Sequence, residues 1–125
     1  MNRPEFLAKA AHTIGHHLRI QPPGRRRDDN YVTTYLKRHV HIGVVAAEGS
    51  DPEVRVHART DNASLGQVWA MTRVPGLSYR TSGRTPRHYL ECAWRQNTAD
   101  YTKDVQRMNE LVSFIVEASA AGRIP

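Results

Sequence analysis

This chain has little cysteine, few aromatics and no long apolar run, and each shortage excludes something. Its single cysteine, Cys92, rules out an internal disulfide, so a reducing compartment such as the cytoplasm is the expected setting. No apolar stretch is long enough to span a bilayer, and the opening MNRPEFLAKAAHTIGHHLRI lacks the unbroken apolar core of a secretory signal. Motifs of catalysis are missing as well. HEXXH and CXXC do not occur, no serine sits in a nucleophile elbow, and no glycine-rich loop leads into a helix. The chain is therefore expected to be no enzyme and to need no cofactor.

What is abundant is arginine. Fifteen of the 18 cationic side chains are Arg, set against 12 Asp plus Glu, for a formal charge of +6. The planar guanidinium matches phosphate oxygens and stacks on rings, so an anionic partner is expected, either nucleic acid or an acidic protein. At 125 residues, 39% of them hydrophobic, the chain is one domain's worth of sequence.

Hydrophobic period divides that domain, residues 1–125, into an N-terminal helix (1–20), a basic Pro/Gly/Arg loop (21–30) and a sheet-and-helix body (31–121). Phe6, Ala10, Ile14 and Leu18 recur at helical spacing over residues 3–20, with Pro4 and Glu5 suited to the first turn. The loop QPPGRRRDDN cannot continue the helix and holds Arg25, Arg26 and Arg27. From Tyr31 the period becomes two. Val32, Leu36, Val40, Ile42 and Val44 share one side; Tyr31, Thr33, Tyr35, Lys37, His39 and His41 share the other. So long a segment predicts a turn or bulge near Lys37–Arg38–His39. Val54–Thr60 is a further strand, and a helix follows over roughly 62–74, with Leu65, Val68, Trp69 and Thr72 on one face. LSYRTSGRTPRHYLECAWRQN turns at TSGRTP, then alternates Leu90, Cys92 and Trp94 against Arg87, Tyr89, Glu91 and Arg95. Residues 101–121 form the last helix, with a stripe of Val105, Met108, Leu111, Val112, Ile115 and Ser119, stopped by Gly122. The expected fold is α+β: an antiparallel sheet of about four strands with helices packed on one face, in the order α-β-β-(β)-α-β-β-α.

If every apolar strand face meets the helices, the polar faces gather on the open side. There the sequence places Tyr35, Lys37, His39, His41, Arg55, His57, Arg59, Arg87, Tyr89 and Arg95, with Glu91 as the only carboxylate from these strands. Cations neutralise phosphates, and Tyr, His and Arg planes stack on bases. Arg25, Arg26 and Arg27, with Arg80 and Arg84 of the hairpin, would extend the surface. An exposed antiparallel strand is polar in any case, so a merely solvated face reads the same way. The histidine pairs His12/His16 and His39/His41 have ligand-like spacing, yet no carboxylate or cysteine completes a set, and no metal is expected.

From Val54 onward, VRVHARTDNASLGQVWAMTRVPGLS, then RHYLECAW, then the helix from Tyr101 follow an order that resembles the small MmcQ/YjbR-like proteins, whose fold is called a double wing. The likeness runs over about residues 31–121, with Arg59 where the family usually has a strand-end lysine and His88 six residues from Trp94. It implies an α+β fold and a non-catalytic DNA-binding role, which puts DNA ahead of RNA, and it fits a phage or mobile-element origin. The sequence thus points to a nucleic-acid-binding protein with little sequence preference. The alternative is a protein-binding module, an inhibitor or assembly factor, that sets the same cations against an acidic partner.

Overall fold

The computed structural model describes residues 1–24, 30–36 and 39–121. Its elements are α1 (Arg3–Leu18), β1 (Tyr31–Leu36), β2 (Val40–Ala47), β3 (Glu53–Thr60), α2 (Ala63–Met71), β4 (Ser78–Ser82), β5 (Arg87–Arg95) and α3 (Asp104–Ala121). The α+β arrangement and the order of elements are as expected. The sheet, however, has five strands rather than about four, all antiparallel, in the order β1-β2-β3-β5-β4. Both long alternating segments split. Leu36 pairs with Val40 to close one hairpin, and Gly83, at φ 93, supplies the left-handed residue that lets Ser82 pair with Arg87 in the other.

Period two in the sequence becomes two-sidedness in the sheet. Val32, Val44 and Val56 lie in one cross-strand row and Ala58 pairs with Leu90, and all five are buried. The helices cover this side: α1 packs on β1, β2 and α3, α2 on β3, β4 and β5, and α3 on β3. Each fully buried Val, Leu or Ile side chain contributes about 1.5–3 kcal/mol. That drive, repeated across three strands, fixes which face is left open, since a one-residue slip would turn Val32, Val44, Val54 and Val56 to water.

Local chemistry sets the helix ends. Asn2 caps α1 by accepting from the Glu5 backbone N–H at 2.9 Å, and the Glu5 carboxylate reaches back to the Asn2 N–H, a reciprocal capping box. Asn62 caps α2 in the same manner at 3.0 Å. The second helix stops at Met71, short of the expected 74, and Thr72 is extended and exposed. Pro75 disfavours helical geometry at the residue before it, so the chain leaves the helix early. The last helix starts at Asp104 rather than 101, because Tyr101 is used as a core anchor: it is buried with its ring centroid 5.1 Å from that of Phe6. The expected stop at Gly122 lies outside the described residues.

Candidate nucleic-acid interface

The register places one row of side chains across all five strands on the open face. Tyr35 pairs with His41, His41 with Arg59, Arg59 with Tyr89 and Tyr89 with Arg80. At about 4.8 Å per strand the row is about 19 Å long. Its members touch. The Tyr35 and His41 ring centroids are 5.1 Å apart, edge to face, and the Arg80 guanidinium lies 4.0 Å above the Tyr89 ring. A hydrogen bond with Ser82 and the charges of Arg59, Arg80 and Arg87 draw the Tyr89 hydroxyl below its usual pKa. Arg80, named in the sequence only as an extension, thus belongs to the row itself.

Charge along the strands is uneven. Toward the β2–β3 turn the cations are paired: Arg55 with Glu53 at 2.9 Å and with Glu91 at 3.8 Å, and Arg95 with Asp51 at 3.6 Å. Arg80 also contacts Glu91, at 2.5 Å. Glu91 is therefore not the only carboxylate on this face. The third strand begins one residue earlier than expected, and Glu53 joins it on the same side as Arg55. At the opposite end, by the β1–β2 turn, neither Arg59 nor Arg87 has a carboxylate within 4 Å among the described residues.

Two histidines of the set adjoin each other here, His41 at the β1–β2 end beside Arg59 and His57 one position further in. His57 rests on Gly43, its cross-strand partner, and its ring centroid is 6.2 Å from that of His41. Burial, reinforced by His41, Arg55 and Arg59, pushes the His57 pKa down to about 4. Burial and Arg59 lower that of His41 too. The Nδ1 atoms of both are buried without a hydrogen-bond partner.

Of the expected residues, Tyr35, His41, Arg55, His57, Arg59, Arg87, Tyr89 and Arg95 all occupy the open face. His39 lies in the turn rather than on a strand, yet it joins Tyr35, His41, Arg59 and Arg87 around one hollow of about 250 Å³. Lys37, Arg25, Arg26 and Arg27 lie outside the described residues. Cys92 and Trp94 face the helices as expected but are only half-buried, for α3 leans a cation over them. The Arg107 guanidinium sits 4.4 Å from the Trp94 ring and 3.5 Å from the Cys92 Sγ, and Asp104 accepts from the Trp94 indole at 2.8 Å. Sequence reasoning missed Gly43, whose signal was a lone glycine inside a valine-rich strand. Among the described residues no three His, Cys, Asp or Glu side chains gather as metal ligands, and no helix is long and apolar enough to cross a membrane. Comparison with protein-family models, curated proteins and solved structures finds no match to this chain.

Proposed function

We propose that this is a small non-catalytic protein that binds nucleic acid, with DNA as the first substrate to test, along the open sheet face and with little sequence preference. The observation that carries the reading is the row Tyr35–His41–Arg59–Tyr89–Arg80, in which flat rings and guanidiniums share one line across the sheet. Rings stack on any base and guanidiniums pair with any phosphate, so such a row favours a strand without reading its sequence. Stacking needs unpaired bases, which points to single strands over duplex. Arg59 and Arg87 lead the phosphate contacts, because Arg55, Arg80 and Arg95 already have carboxylate partners.

The test is fluorescence anisotropy with single- and double-stranded DNA and RNA over a salt series. Single-stranded DNA should bind at low salt. With two or three phosphates neutralised, log affinity should fall against log salt with a slope of about −1.4 to −2.1. Absent or salt-independent binding would reject the reading. A complex with an acidic protein that survives nuclease would put the protein-binding module in its place.

A further inference from the structure

Resting on that reading, we propose that the hollow at the β1–β2 end of the row is a subsite for the terminal phosphate monoester of a bound strand. Its volume, about 250 Å³, is below the roughly 300–1,000 Å³ of pockets that enclose drug-sized ligands, so it suits a single small group. A strand that continues past both sides of a phosphodiester crosses a flat surface more readily than it enters such a recess. A chain end can enter it.

The lining has the chemistry of an anion site. Arg59 and Arg87 bring two guanidiniums with no described carboxylate within 4 Å. His39 and His41 add their rings to the wall. Asp61 also lines the hollow and opposes an anion, but it pairs with neither arginine and is outnumbered by them. A terminal monoester carries about −1.5 to −2 charges at neutral pH against −1 for an internal diester, so two guanidiniums with no carboxylate partner among the described residues favour the end over the middle of a chain. Tyr35, on the wall and 63% exposed, is placed to stack the terminal base.

The experiment compares otherwise identical short single-stranded DNA oligonucleotides that carry a 5′-phosphate, a 3′-phosphate or no terminal phosphate. One phosphorylated end should bind about tenfold more tightly than the bare oligonucleotide, the increment of one good charge-assisted contact. In Arg87→Gln every oligonucleotide should weaken, and the ratio between phosphorylated and bare ends should fall to about one. Arg59→Gln gives a second reading of that ratio, and circular dichroism verifies that both variants are folded. Equal binding of all three ends by the parent protein would overturn the subsite while leaving the strand reading intact. So would a tenfold ratio that survives in both variants. If no oligonucleotide binds at all, the strand reading falls and the subsite with it.

Discussion

The imidazole of His57 lies over Gly43, its cross-strand partner, so closely that a β-carbon there would come within 2.7 Å of Cε1 and 2.9 Å of Nε2. A glycine inside a strand costs stability, about 0.5–1 kcal/mol relative to alanine. What it gains here is a bare patch of backbone on which the ring lies down and loses water. Gly43→Ala should lift the far edge of the ring and let water back. The His57 pKa should then rise from about 4 toward 6.5, while stability falls by about 1 kcal/mol, because the added β-carbon also meets the Thr33 γ-methyl at 2.9 Å and that overlap outweighs the backbone gain. An NMR titration of the His57 ring protons checks this, and a pKa still near 4 would mean that Gly43 does not set the burial.

The same histidine makes stability depend on pH in a defined window. Its folded pKa is about 4 against 6.5 when unfolded, so between those values the unfolded chain takes up a proton that the native chain refuses. Stability is therefore full above about pH 6.5 and falls as pH drops toward 4, by up to about 3 kcal/mol for a shift of this size. The lowered pKa of His41 acts in the same direction. Asp100, whose carboxyl is held well below the usual range by hydrogen bonds from Thr102 and from the terminal ammonium, stabilises fully above about pH 4 and loses that contribution only as pH falls below it, outside the histidine window. Urea midpoints at closely spaced pH values should show the slope. His57→Gln should remove most of it between pH 6.5 and 4.

A second glycine meets a histidine on the helix side, with the opposite consequence. Gly66 of α2 is buried against His88 of β5, and an added β-carbon would overlap the ring at Cγ, its root, rather than at its far edge. Rotation cannot clear an overlap at the root. The ring is also held by Tyr79, whose hydroxyl is 2.8 Å from Nδ1. Gly66→Ala should therefore destabilise the protein by about 1–3 kcal/mol, although alanine is the better helix former by about 1 kcal/mol. Thermal or denaturant unfolding measures it. A stabilised variant would show that α2 shifts freely over the sheet.

The two glycines mark where sequence stops being legible. Periodicity foretold the two faces, since burial on one side of a strand is written in alternate residues, and it placed Val54, Val56 and Leu90 against the helices. It could not foretell pairings between strands, because register depends on which hairpin closes where. The row from Tyr35 to Arg80 exists only once β5 is inserted between β3 and β4. Glu53 was misjudged for a simpler reason: it follows Pro52 at a strand boundary, where the chain's entry into the sheet depends on its partner. Pairing with Arg95 brings it in.

Ion pairing divides the arginines of the open face into two groups, and the division is measurable. Arg55 and Arg95 are held by Glu53, Glu91 and Asp51; Arg59 and Arg87 have no such partners among the described residues. A cation already paired with a carboxylate must give up that contact to take a phosphate, so it releases little counterion on binding. Replacing Arg59 and Arg87 together by Gln should weaken single-stranded DNA alike for all sequences. It should also flatten the salt slope by about 1.4, the share of two phosphates. Replacing Arg55 and Arg95 together should leave that slope within about 0.3, with at most a modest loss of affinity from the carboxylates set free. Exposed substitutions of this kind move stability by about 0.5 kcal/mol or less, so folding should not confuse the comparison. Equal slopes for the two double variants would mean that the face acts by its summed charge alone. A larger change on losing Arg55 and Arg95 would shift the phosphate contacts to the other end of the sheet.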